Sequence, residues 1–237
     1  MRRPLLLLVA ALAVATTSWL GTQPVAAQSG VVADWRMDEV AGSDVLVDGS
    51  GNGVHGLLGS GVLAGIRIGA DTVHRFPNTS STAPADPSRI HYVGDRDALD
   101  PGTGDYSVEV RFRSTVDHTN IIQKGQATAS GGMWKMELDN GTVACLFRGS
   151  SGDAFVRSST RVLDGNWHVV RCERTAGGLT LAVDGRVEAR RSVAAGRIAN
   201  DANLTIGGKP DCNNRSVECD YFRGDIDYAR VDRNIVK

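Results

Sequence analysis

The sequence predicts an all-β fold of two antiparallel sheets packed face to face, and three observations predict it. Apolar and polar residues alternate with period two in several separate segments; glycine-centred turns lie between those segments; and no stretch after residue 27 keeps the 3.6-residue spacing of an amphipathic helix. A strand that alternates in this way has one apolar face to bury, so two such sheets cover each other.

Taken in chain order, "DGSGNGVHG", Asp48 to Gly56, is a loop: its four glycines disfavour a helix and leave almost nothing for a strand to pack. "PNTSSTAPADPS", Pro77 to Ser88, joins prolines to small polar residues and reads as a surface excursion. "YSVEVRFRS" sets Tyr106, Val108, Val110 and Phe112 against Ser107, Glu109, Arg111 and Arg113, the pattern of a half-buried strand. "MWKMELDNGTVACLF" predicts a hairpin about Asn140-Gly141. "NWHVVRCERTAGGLTLAVDGRVEARR" repeats the device at Gly177-Gly178 and Asp184-Gly185, while "NLTIGG" and "DIDYARVD" predict two late strands. "KPDCNNRSVECD" is a polar loop, and no internal repeat is visible.

Arg2 and Arg3 precede "PLLLLVAALAVA", a run too short to span a bilayer comfortably, and small residues stand at Val25 and Ala27. This predicts a secretory signal peptide over residues 1–27, one domain over 28–237, and a secreted, monomeric product. With 26 basic and 27 acidic residues the net charge is −1, which supplies no field for nucleic acid or an anionic membrane. Four cysteines without a Cys-x-x-Cys pair predict two disulfides in an exported chain. Cys145 and Cys172 lie in alternating segments and Cys212 and Cys219 bracket a polar loop, so the expected pairs are 145 with 172 and 212 with 219. Asn-x-Ser/Thr sequences begin at Asn78, Asn140, Asn203 and Asn214.

Oxygen-bearing side chains at Asp48, Ser50 and Asn52, followed by Gly53, repeat the first half of a calcium-binding loop, but the twelfth position, where a bidentate glutamate belongs, is Gly59. The ordered set "DWRMDE", "DGSGNGVHG", "DYSVEVRFRS", "IIQKG", "DGNWHVV", "LTLAVDG", "LTIGG" and "FRGDIDYARV" resembles laminin-G-like domains of the concanavalin A-like lectin and glucanase superfamily, in particular their bacterial secreted members. The resemblance implies a jelly roll with one concave face and a structural calcium joining an early loop to the last strand. It makes Asp227 the missing carboxylate, with Asp225 as the fallback, Asp48 and Asn52 as side-chain ligands, and Gly53 or His55 as a backbone oxygen. Alternation would put Asp225 and Asp227 on one face of their strand and Ile226 and Tyr228 on the other.

The same superfamily contains glycoside hydrolases, which need two suitably spaced carboxylates. Glu137 and Asp139 share a strand face, but the third acid that related glucanases carry is replaced by Gly141, and "ECDYF" begins the pattern at Glu218 only to end it with Phe222. His168, beside Trp167, has no nucleophile to serve and is expected to be structural. The chain is therefore expected to bind rather than catalyse, with a carbohydrate or an extracellular protein as partner. Trp35 and Trp167 are expected in the core. Trp134, Tyr221 and Phe222 are the candidate stacking platforms, and Arg148 and Arg157 the candidate polar partners.

Overall fold

The computed structural model describes residues 30–80, 83–212 and 217–233; the predicted signal peptide and the Asn214 sequence lie outside them. Two eight-stranded sheets pack face to face as a jelly-roll sandwich. Sheet A runs in the order β14 (Arg186–Arg191), β13 (Gly178–Val183), β12 (His168–Thr175), β7 (Tyr106–Arg113), β16 (Gly224–Arg233), β5 (Asp71–Phe76) and β4 (Leu63–Ile68), and β1 (Val31–Trp35) also pairs with β16. Sheet B runs β11 (Gly152–Arg157), β10 (Thr142–Gly149), β9 (Met133–Asp139), β8 (Thr119–Lys124), β15 (Leu204–Ile206), β6 (His91–Val93), β3 (Gly56–Leu57) and β2 (Val45–Leu46). Every ladder within the sheets is antiparallel. No helix among the described residues is long and apolar enough to cross a membrane.

Local chemistry accounts for the turns. Asn140 (φ 55°) with Gly141 (φ 79°), and Asp184 (φ 50°) with Gly185 (φ 76°), adopt the paired positive angles of type I′ turns, whose twist matches that of the flanking strands. The turn expected at Gly177-Gly178 sits one residue earlier, at Ala176-Gly177, because Gly178 already pairs with Thr175 in the ladder.

Between the sheets the alternation resolves as expected for β7, whose Val108, Val110 and Phe112 are buried. Facing them are Trp134, Met136 and Leu138 of β9 and Val143, Cys145 and Phe147 of β10. Trp134 is thus a core residue and not an edge platform: the Gly131-Gly132 turn ends before it, and its ring stacks on Phe147 at 6.4 Å and leans on Tyr106 at 5.7 Å. Phe222 is likewise enclosed, edge-on to Phe76 (5.6 Å) and Phe112 (6.0 Å). Tyr221 packs beneath the 83–89 segment, where its hydroxyl accepts the Asp86 N–H at 2.8 Å. These three aromatics fill space and present no face to a ligand. Trp35 is buried as expected, its Nε1 donating to Val54 O at 2.8 Å. Trp167 is only half-buried and carries the guanidinium groups of Arg111 (4.5 Å) and Arg113 (5.2 Å) on its ring, on the outside of sheet A.

Both expected disulfides form. Cys145–Cys172 ties β10 of sheet B to β12 of sheet A through the core. A second tie between the sheets is polar. Gly59 N–H donates to His91 Nδ1 (3.1 Å), so neutral His91 carries its proton on Nε2, which faces His74 Nδ1 at 3.0 Å. His74 Nε2 in turn lies 2.9 Å from Glu39 Oε2, bent away from ideal hydrogen-bond direction, while Glu39 Oε1 accepts the Val47 N–H. Burial, and then the neighbouring His74, hold His91 well below the ordinary histidine range.

Two outcomes follow for stability. Replacing Cys145 and Cys172 together by alanine should lower the unfolding free energy by about 3–4 kcal/mol, the chain-entropy value for a 27-residue separation, measured by urea titration. Because His91 stays neutral when folded but takes a proton when unfolded, its contribution is full above the ordinary value of 6.5 and is lost as pH falls below it. Urea midpoints between pH 7 and 5 should show this fall beginning above the carboxylate range, and His91→Gln, less stable throughout, should lack that part of the slope.

Candidate functional site

The glycine-rich loop is closed by its own donors. Asp48 Oδ1 accepts the N–H groups of Asp34 (2.9 Å) and Ser50 (2.9 Å), and Oδ2 accepts the Val54 N–H (2.9 Å) and the Ser50 hydroxyl (2.8 Å). Burial alone would raise this carboxyl, but these bonds outweigh it and hold it below the usual range. Asn52 Nδ2 donates to Val31 O (2.8 Å) and Val32 O (3.1 Å), and His55 Nδ1 accepts the Asp48 N–H at 3.0 Å. A bulge in β16 between Ile226 and Tyr228 overturns the expected alternation, so that Asp227 and Tyr228 both leave the core. Asp227 meets Arg111 Nη1 at 2.7 Å, and Asp71 meets the same nitrogen at 2.9 Å.

The expected calcium ligands therefore do not fit a calcium ion as a set. The four acceptor positions of Asp48 are filled from the protein, and a guanidinium stands against Asp227. Asp225, the fallback, is clamped between Arg75 (2.7 Å) and Arg113 (2.7 Å). Among the described residues no three His, Cys, Asp or Glu side chains gather as metal ligands. Gly53 (φ 70°) serves the turn.

The outer face of sheet B is different in kind. A groove of about 470 Å³ lies over β8, β9 and β10, with Gln123, Lys135, Leu146 and Arg148 along its floor and Lys209 and Asp220 on its wall. Arg148 is there as expected, because β10 points its even positions outward from Leu146 on. Its Nε and Nη2 each reach Asp153 at 2.8 Å, and that pairing raises the arginine and lowers the aspartate. Lys135 pairs with Glu137, and Lys209 with Asp220. Arg157 lies further along the face, paired with Asp139 and 5.7 Å from the Phe155 ring centroid. The Cys212–Cys219 bridge lies next to Glu218, which lines the wall.

Glu137 and Asp139 each hold a cation, so neither is the lone, desolvated acid that glycoside hydrolysis requires. His168 is structural: its Nδ1 faces Asp184 at 2.9 Å and its Nε2 faces Asp164 at 3.2 Å. The N–H and side-chain amide of Asn166, then His168, draw the Asp164 carboxyl down to about 2. Sequence reasoning missed Gln123, Lys135, Lys209 and Asp220, because they come from separate parts of the chain and only the fold brings them to one groove. The outward alternation of β9 is the one signal that marked Lys135.

Comparison with known proteins bears on this geometry. Residues 112–234 match the laminin G domain family. Domain 4 of AbnA, an extracellular arabinanase from Geobacillus stearothermophilus solved with arabinotriose, is similar at 16% identity and a TM-score of 0.60, over 88% of this chain and 95% of that one. The binding domain of Paraclostridial Mosquitocidal Protein 1 is similar at 14% identity and a TM-score of 0.59, over 86% and 48%. The binding domain of botulinum neurotoxin serotype D is similar at 12% identity and 0.60, over 88% and 48%. The chain spans about half the length of these two toxin domains. No curated protein matches the sequence.

Because protein donors fill the loop, Asp48→Asn should cost about 1–3 kcal/mol through unsatisfied buried N–H groups. Thermal unfolding of the unaltered chain should be the same with calcium and with a chelator; a rise of several degrees in calcium would show that a metal displaces these bonds.

Proposed function

Since the chain belongs to the laminin G domain family, we propose that it is a non-catalytic binding module whose carbohydrate-recognition surface is the outer face of sheet B. The observation that carries this reading is the groove over β8, β9 and β10: amide, ammonium, guanidinium and carboxylate groups ring the aliphatic Leu146 and Met133. Sugars ask for this combination, planar polar groups for hydroxyls around an apolar patch for the ring's C–H face. The ion pairs support it further. Each cation of the groove is oriented by a carboxylate yet keeps donors to spare, since Arg148 uses Nε and Nη2 on Asp153. The arabinotriose-bound domain of like fold and like length is consistent with a saccharide on such a scaffold.

The two disulfides suit an oxidising compartment, and we place the protein outside the cell as a monomer. No metal enters this reading. A protein ligand is the alternative, and the synaptotagmin complex of a similar botulinum binding domain, TM-score 0.58, keeps it in view.

Affinity electrophoresis against neutral polysaccharides, linear arabinan among them, tests the reading. Retardation of the unaltered chain should fall about tenfold or more in apparent affinity on Arg148→Ala, since binding residues with charged hydrogen bonds carry such costs. The same change breaks only a surface ion pair, worth about 0–1 kcal/mol, so folding should persist. A folded chain that no polysaccharide retards would put the protein-binding alternative in its place.

A further inference from the structure

At one end of sheet A a groove of about 410 Å³ opens between the start of β16, the end of β7 and the residues after β5. Three guanidinium groups line it, from Arg75, Arg113 and Arg223, against one carboxylate, Asp225. They are not equivalent. Arg75 reaches Asp225 through Nε (2.7 Å) and Nη2 (3.2 Å), and Arg113 through Nε (2.7 Å) and Nη2 (2.7 Å). Among the described residues Arg223 has no carboxylate partner: its Nη2 makes one long contact to Asp117 O at 3.5 Å, and its Nε is buried without a hydrogen-bond partner. The pairing with Asp225 raises Arg75, whereas burial lowers Arg223. A charged, partly desolvated fork left open on a groove is the arrangement that a planar oxyanion completes.

We propose that this groove is a second binding site, separate from that on sheet B, for the carboxylate of an acidic saccharide, with Arg223 as its principal partner. Asn78 stands exposed beside the guanidinium groups, and Pro77 and Val116 give a half-buried apolar wall against which a sugar ring packs. The backbone argues against an extended acidic peptide. β7 pairs with both β12 and β16, and β5 with both β16 and β4, so the groove offers no free strand edge to which a peptide could add. Trp167, half-buried under Arg113, steadies that guanidinium and places a fluorophore beside the site.

The probe is trigalacturonate, titrated calorimetrically into the purified chain beside its fully methyl-esterified form and a triaspartate peptide. Trigalacturonate should bind, the ester should not, and added salt should weaken binding as it screens the charges. Arg223→Gln should weaken binding about tenfold or more, as expected for loss of a charge-assisted fork. Asn78→Asp, an exposed change without consequence for folding, should do the same by repulsion. Arg148→Ala should leave trigalacturonate binding unchanged, so failure of the sheet B site and failure of this one are told apart. Equal binding of acid and ester, insensitivity to both Arg223→Gln and Asn78→Asp, tighter binding of triaspartate, or no heat with any probe would overturn the proposal.

Discussion

The sandwich depends on a contact between one histidine of each sheet. His74 in sheet A and His91 in sheet B, both fully buried, meet at 3.0 Å between the sheets. Such a contact survives burial only if every polar atom has a defined role, since an unsatisfied donor there costs about 1–3 kcal/mol. The Gly59 N–H supplies the definition: it makes His91 Nδ1 an acceptor, which fixes the proton positions of both rings in turn. Gly59 must approach closely to do so, for a Cβ on it would lie 2.3 Å from Ile90 O and 2.4 Å from Ser88 O. One backbone N–H thereby defines the hydrogen bonding of both histidines, and no larger residue could stand in its place.

Outside the core, the two sheets handle charge differently. On sheet B the cations lie beside acids of the same face, Lys135 by Glu137 and Arg157 by Asp139, so the surface is mixed and locally neutral. On sheet A, arginines from β7 and β5 converge on aspartates of β16, and Arg223 beside them has no carboxylate partner among the described residues. Mixed and locally neutral surfaces favour hydroxyl-rich ligands, whereas an excess cation in a groove favours an anion. The near-zero net charge of the chain conceals this division, because it averages over both faces.

Most of the fold was legible in the sequence because alternation and turn chemistry are local. The Asn140-Gly141 and Asp184-Gly185 turns, the inward set of β7 and both disulfides could be read from neighbouring residues. The site was less legible because its features are not local. Trp134 was expected as a stacking platform, yet the strand that starts at Met133 carries it inward. Trp167 looked like a core residue from its neighbours, yet two arginines from β7 cover it on the outside. A single bulge reversed the facing of Asp227 relative to Tyr228, and period-two counting has no means of seeing an inserted residue. Asp48 was expected as a calcium ligand, and the sequence could not say that four protein donors would meet its oxygens.

Strand β16, the last of the described strands, lies within sheet A, with β7 on one side and β5 and β1 on the other. The sheet is thus two incomplete pieces until β16 is made. β1, made nearly two hundred residues earlier, touches the 48–54 loop but has no other ladder partner among the described strands. Loop closure over such separations makes assembly slow relative to local hairpin formation. A chain emerging in sequence order therefore cannot complete sheet A until residues 224–233 are available, and until then β7 and β5 each lack a neighbouring strand.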